Sequence, residues 1–505
     1  MGIKARLSKP FAKAVVRKIK KWSLRPLEAQ AHVFNYLVKT AKNTSFGEDH
    51  KFDEIKSYAD FKKNVPIRDY EELRPYFDRI AVGEPDVCWP GKPVYLSKTS
   101  GTTSGAKYIP ITKASMPNHI NSARNALLSY IAQTGKADFV NGKMIFLQGS
   151  PELGEKSGIK TGRLSGIVAH HVPKYLLKNR MPGYNTNCID DWETKVDAIV
   201  EETITQNMTL ISGIPAWVQM YFEKLVAKSG GKKIKDIFPN FSLFVYGGVN
   251  FEPYRKTFER LIGKSIPSVE VYPASEGFIA FQDSQTEQGL LLVLNEGIFY
   301  EFIPVAEFFD ENPTRIELKN VEIGVNYAII LNTNAGLWGY NIGDTVKFVS
   351  THPYRIIVSG RIKHFTSAFG EHVIAEEVES SMKLVLEESD AEVAEFHVAP
   401  MVNPVDDELP YHEWLIEFSK LPHDLTNFKV ELDKFMQEKN PYYFDLIKGK
   451  VLQPLKVTPI QKGGFLGFMK KRGKLGGQNK IPRLSNDRKI ADELLPYIEK
   501  KTVTS

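Results

Sequence analysis

The chain has 505 residues, room for roughly three domains or fewer larger ones. Its 42% hydrophobic and 25% charged fractions are those of a globular protein rather than a disordered or fibrous one. No stretch approaches the ~18–20 apolar residues that span a bilayer. The two cysteines, Cys88 and Cys188, make neither a disulfide framework nor a metal-binding spacing. The net charge of +6 is modest and concentrated at one end, and no nucleic-acid module is recognisable, which argues against a nucleic-acid partner. With free thiols and no apolar leader segment, the expected location is cytoplasmic.

The charge concentration lies in the first predicted element. From Lys4 to Arg25 there are nine Lys/Arg and no acid, and Leu7, Phe11, Val15, Ile19 and Trp22 recur at helical spacing. That pattern predicts a basic amphipathic helix over residues 4–25. Such a helix either docks on its own protein with its lysines in water or makes a weak contact with an anionic membrane surface. Further helices are expected over 27–86, notably 27–42 and 70–80. Strands at 93–96 and 107–111 then enclose Ser100, Gly101, Thr102, Thr103, Ser104 and Gly105. The glycines let backbone N–H groups face a ligand, and the hydroxyls supply rotatable donors. Lys98 and Lys107 flank the loop with positive charge. This composition suits phosphate, although the spacing is not that of a Walker A loop; the plain alternative is a polar hairpin turn.

Between 114 and 270, helices alternate with short apolar strands at 143–147, 208–212 and 243–246, which predicts a layered α/β sheet. The last of these strands runs into Gly247, Gly248 and Val249. The strand at 268–271 opens into Tyr272-Pro273-Ala274-Ser275-Glu276-Gly277. An aromatic, a hydroxyl and a carboxylate at a strand end suit a flat ring, a phosphate and a metal ion. Trp217, Gln219, Tyr246, Phe278 and Phe281 are either acyl-pocket candidates or ordinary core. His170 and His171, adjacent and so facing opposite ways, read as structural. From 290 to 360 strands predominate, predicting a largely antiparallel sheet, with Tyr340-Asn341-Ile342-Gly343-Asp344 read as a turn. After Ser359-Gly360-Arg361-Ile362-Lys363 a small α+β domain begins. It ends with a Gly/Lys-rich loop from 463 to 480, the segment Gln478-Asn479-Lys480-Ile481-Pro482-Arg483, and a helix at 487–500. The expected fold class is α/β: a large N-terminal domain (1–360) of layered sheets with helices and a β-rich subdomain, then a smaller, mobile α+β C-terminal domain (361–505).

Each motif is weak alone, but their order is that of the adenylate-forming superfamily. Within it the chain resembles the GH3 auxin-responsive-promoter family of acyl acid amido synthetases. The resemblance rests on 99–105, 272–277 and 478–483, on Tyr300-Glu301-Phe302-Ile303-Pro304 and on Val65-Pro66-Ile67-Arg68-Asp69-Tyr70. It implies ATP and Mg²⁺ as cofactors, and as substrates a small carboxylic acid and an amine such as an amino acid. The acid would be adenylated, and the amine would then displace AMP. By this resemblance residues 100–105 wrap the β/γ-phosphates with Lys107 nearby. Glu276 holds Mg²⁺ and Ser275 contacts the α-phosphate. Tyr272, Ala274, Gly248 and Val249 line the adenine site, Asp344 accepts the ribose hydroxyls, and Arg361 lies near the ribose. Lys480 serves the adenylation step, and Lys363 marks a hinge. Two alternatives stand beside this reading: an acyl-CoA ligase sharing the first step, and a non-catalytic nucleotide-binding protein peripheral to a membrane. Intact Glu276, Asp344 and Lys480 count against the latter. Pro273 departs from the better-known plant members, so no indole or jasmonate substrate is inferred.

Overall fold

The computed structural model describes all residues except 1, 100–106, 173–176, 190, 249–250, 311, 363–364, 367–372, 403, 405–407, 449–450, 474–479, 486 and 500–505. The chain packs into two compact units. The first comprises Met1–Gly213, Ile237–Gly248 and Ile266–Val358; the second comprises Ile214–Asp236, Val249–Ser265 and Ser359–Ser505.

In the first unit the two predicted sheets are one. Among the described residues it has twelve strands. Arg180–Met181, Lys143–Phe146, Met208–Ser212, Leu243–Gly247 and Ser268–Ala274 run parallel. Gly277–Phe281 then turns antiparallel to its neighbour, and the β-rich region continues from there. The sheet is buried on both faces, as period-two alternation shows. Leu290, Leu292 and Leu294 enter a core with Phe46, Phe61, Phe77 and Trp338. Leu291 and Val293 enter a second core with Val15, Ile131 and Leu210. A smaller sheet pairs Tyr95–Thr99 with Lys107–Ile111, so that Thr99 and Lys107 face each other across the loop they flank. Ser100, Gly101, Thr102, Thr103, Ser104 and Gly105 lie outside the described residues.

The N-terminal helix, Ile3–Ser23, docks on the protein through only part of the predicted stripe. Val15 and Ile19 are buried together with Ala5, Ala12 and Ser23, and Trp22 packs against the same core, whereas Leu7 is 66% and Phe11 52% exposed. The two alanines permit close approach to the helix Met116–Thr134, against which it packs. The helix Tyr70–Ala81 starts on a capping box in which Asp69 and Glu72 accept each other's backbone N–H. The Tyr340–Asp344 segment is not a turn but the start of the strand Tyr340–Thr351. Its pairing shifts register between Ala328 and Ile330, making a bulge at 342–344. Gly343 sits there at φ 84°, a conformation that a side chain would strain.

The second unit contains the three-stranded sheet Glu392–Met401, Tyr411–Lys420 and Lys456–Ile460, the last two parallel. Ala375–Glu388 and Leu425–Lys439 cover it. Within the span expected to be a loop, Gly464–Lys471 is a helix that buries Phe465, Phe468 and Met469. The closing helix is shorter than expected, Lys489–Leu494.

The Tyr300–Pro304 motif is a core strand. Glu301 is fully buried and takes a two-pronged bond from Arg315 (2.7 and 2.8 Å) and another from Asn332 (2.8 Å). Arg315→Ala should cost about 3–5 kcal/mol, because it leaves that carboxylate buried without its charge partner. Arg315→Met combined with Glu301→Gln should cost less, since both charges go together. Urea unfolding of the three proteins checks the ordering; a double variant damaged as badly as the single would refute it.

Candidate functional site

The parallel half of the main sheet ends in a row of strand C-termini, the edge where α/β sheets hold ligands. Ala274 pairs with Gly277, so Ser275 and Glu276 alone make the turn of a tight hairpin there. The base of the hairpin is clamped by Asn118, whose amide donates to the Phe278 carbonyl (3.1 Å) while its oxygen accepts from the Phe278 N–H (2.6 Å). Ser97, fully buried on the strand that leads into residue 100, donates its hydroxyl to the Ser275 oxygen at 2.9 Å. The hydroxyl-loop strand and the Ser-Glu turn are thereby in contact.

The bulge brings the next motif to the same place. The Tyr272 hydroxyl donates to Asp344 Oδ2 at 2.6 Å. The Tyr340 hydroxyl donates to Glu276 Oε1 at 3.4 Å. Burial, and then the nearby Glu276 charge, push the Tyr340 phenol well above its usual range, so it stays a neutral donor. Each acid therefore accepts from a tyrosine hydroxyl. The Val65–Tyr70 motif joins them: Arg68 bridges Tyr340, Arg68 N–H donates to Gly339 O (2.9 Å), and Asn341 N–H donates to Arg68 O (2.9 Å). Gly339, at φ 56°, lies so close to this segment that a Cβ would come 2.3 Å from Pro66 O. Tyr70 accepts from the Tyr108 N–H at 2.9 Å, and the Lys107 ammonium stands 5.2 Å over its ring.

Ser275, Glu276, Tyr272, Ala274, Asp344 and Lys107 are thus tied into one neighbourhood of the first unit. Gly248 follows the strand Leu243–Gly247, which lies beside Ser268–Ala274. Tyr246 on that strand donates to Glu270 at 3.3 Å, and Val249 lies outside the described residues. Phe278 is buried with Phe281 in the core that holds Val15 and Ile131. His170 and His171 bond on separate sides, to Pro151 O (2.8 Å) and to the Tyr95 hydroxyl (3.0 Å). In the second unit, Trp217 is buried and Arg361 is exposed; Lys363 lies outside the described residues. Sequence reasoning missed Ser97 and Asn118, which no composition signal distinguishes from other strand and helix residues.

Lys480, also in the second unit, is exposed on a strapped-down backbone. Ile481 is buried, and His397 Nδ1 bonds Pro482 O at 2.7 Å. Val398 exchanges backbone bonds with Arg483 and Ser485. The buried Arg483 guanidinium donates to the Tyr254 hydroxyl (2.7 Å), pairs with Glu395 and with Glu379 (3.4 Å), and stacks 4.5 Å from the Phe396 ring centre.

The comparisons with known proteins fit this arrangement. Three family models match in chain order: the GH3 family N-terminal domain over 15–184, the central domain over 291–361 and the C-terminal domain over 375–489, together more than half of the chain. The chain belongs to the GH3 family. This GH3 protein is similar to the jasmonoyl–L-amino acid synthetase JAR4 of Nicotiana attenuata, 25% identical over 361 residues, 58% of this chain and 61% of that one. It spans about three fifths of that relative. It is also similar to the indole-3-acetic acid-amido synthetase GH3.15 of Arabidopsis thaliana, 22% identical over 512 residues and 84% of each chain. Among solved structures, GH3.15 acyl acid amido synthetase shares the fold with a TM-score of 0.77 at 17% identity, over 96% of both chains. A 2-hydroxyisobutyryl-CoA ligase in the postadenylation state does so at 0.59 and 12%, over 94% of this chain and 92% of that one.

Arg483→Ala should strip protection from hydrogen exchange at the Val398 and Ser485 amides, since it strands two buried acids beside that pairing. Arg483→Lys, which keeps the charge but not the fork, should fall between. Unchanged exchange in the alanine variant would mean that the backbone pairing holds the strap without Arg483.

Proposed function

We propose that this GH3 protein adenylates a small carboxylic acid with ATP and transfers the acyl group to an amine, an amino acid by analogy with its relatives. The observation that carries this reading is the convergence of two motifs, the Ser275-Glu276 turn and Asp344, at the parallel strand ends of a GH3 fold. In the first step a carboxylate oxygen attacks the α-phosphorus and pyrophosphate leaves with the bond it breaks. In the second the amine nitrogen attacks the acyl carbon, loses a proton, and AMP leaves. Neither step requires a covalent enzyme intermediate; placement and charge stabilisation do the work.

Asp344, oriented by Tyr272, suits the two ribose hydroxyls because an ionised carboxylate is acceptor-only. Ser275, aligned by Ser97, is assigned to the α-phosphate. Tyr272, Ala274, Gly248 and Val249 are assigned to the adenine site, and the 100–105 loop with Lys107 to the outer phosphates. Mg²⁺ is assigned to Glu276. Among the described residues no group of three or more His, Cys, Asp or Glu could form a protein cage for a metal. A single carboxylate completed by phosphate oxygens is a set that Mg²⁺ accepts. Lys480 would neutralise charge at the α-phosphate, Arg361 would lie near the ribose, and Lys363 would mark the pivot of the lid. Trp217 and Tyr246 are kept as acid-pocket assignments, whereas Phe278, packed in the core with Val15 and Ile131, takes its ordinary-core reading. The cytoplasmic assignment is supported by two thiols outside any disulfide, Cys88 and Cys188.

Incubation with Mg-ATP, pooled carboxylic acids and pooled amino acids, each omitted in turn, should give AMP and pyrophosphate only when acid is present, and an amide by mass spectrometry only with both. ADP and phosphate would overturn adenylation. A thioester formed with coenzyme A in place of the amide would make the protein a ligase of the second kind. Lys480→Ala should slow pyrophosphate release by ~100–1000-fold with ATP binding retained. Asp344→Ala should weaken ATP binding by ~10–100-fold while leaving the acid's affinity nearly unchanged. Normal pyrophosphate release in the first variant, or unchanged ATP affinity in the second, would remove that residue from its role.

A further inference from the structure

The helix Ile3–Ser23 has two faces, and only one is used by the fold. Its inner face, with Ala5, Ala12, Val15 and Ile19, is buried in the core beside the main sheet. Its outer face carries Leu7 at 66% and Phe11 at 52% exposure, with the exposed Pro10 and Ala14 in the same strip. Arg6, Lys13, Arg17, Lys18, Lys20 and Lys21 are exposed around that strip. The helix contains no acidic residue. Leu24, just beyond its end, is 71% exposed.

We infer that this outer face docks on an anionic lipid bilayer. Docking on its own protein accounts for the inner face and leaves Leu7 and Phe11 unexplained. A nucleic acid would use the charges but would gain nothing from a leucine and a phenylalanine beside them. A bilayer surface uses both: apolar side chains enter the acyl boundary while lysines and arginines meet anionic headgroups. No described helix is long and apolar enough to cross a membrane, so the contact is one of lying on the surface. The packed inner face also holds the strip in fixed orientation before contact, which lowers the ordering cost of binding. The inference is independent of the catalytic reading.

The test is co-sedimentation of the full chain with vesicles of phosphatidylcholine containing phosphatidylglycerol, and with phosphatidylcholine alone. Binding is expected to the first and not the second, and to weaken with salt. Leu7→Gln with Phe11→Gln, which keeps helix propensity, should reduce partitioning about tenfold. Lys13→Glu with Arg17→Glu should reduce it at least as much. Neither pair touches the buried face, so thermal melting should be unchanged. Failure of the wild-type chain to bind the anionic vesicles would overturn the inference, as would undiminished binding by the Leu7/Phe11 variant. So would equally tight binding of a mixed-sequence RNA that the Leu7/Phe11 variant retains, because that is a polyanion site rather than a lipid one.

Discussion

The candidate site depends on how the main sheet changes from parallel to antiparallel. Ser268–Ala274 is the last parallel strand, and Gly277–Phe281 must reverse beside it with only Ser275 and Glu276 between. A two-residue reversal leaves the backbone few conformations, so both side chains are placed by the sheet rather than by loop contacts. Asn118 then fixes the returning strand by its backbone at Phe278. Ser97 reaches Ser275 only because the small sheet abuts this turn. Rigid strands carrying short turns are the geometry that holds reacting groups with little reorganisation.

The acids of the first unit differ in the bonds described for them. Glu276 and Asp344 each accept from a tyrosine hydroxyl, a donor that orients a carboxylate without adding a positive charge. The core acid Glu301 takes bonds from Arg315 and Asn332 in a fully buried place. The tyrosine bonds set where the two motif acids point, whereas the arginine bond compensates a charge buried in the core.

Side-chain chemistry in short motifs was legible in the sequence, whereas geometry set by pairing was not. The Ser-Glu and Tyr-Gly-Asp motifs are weak singly and become legible through their order along the chain. A Gly-Asp pair looks the same in a turn and in a bulge, however, and only the partner strand Asn326–Thr333 decides between them. The helix Gly464–Lys471 was hidden because Gly464 and Gly467 lower helix propensity; burial of Phe465, Phe468 and Met469 overrides it. The inner face of the first helix is only partly legible: Val15 and Ile19 belong to the predicted stripe, whereas Ala5 and Ala12 give too weak a hydrophobic signal beside Leu7 and Phe11. The segments Ile214–Asp236 and Val249–Ser265 pack with residues far along the chain, a relation that adjacency in sequence cannot express.

The role proposed for Lys480 asks for a long side chain that follows charge on phosphate from a backbone that does not wander. The strap that follows it supplies the fixed base: Ile481 is buried, Pro482 is bonded through its carbonyl, and Arg483 is held by two acids and an aromatic ring. Burying an arginine with two carboxylates makes each charge depend on the other, so the strap and the two acids are held as one unit. Its effect is to fix the backbone that immediately follows Lys480.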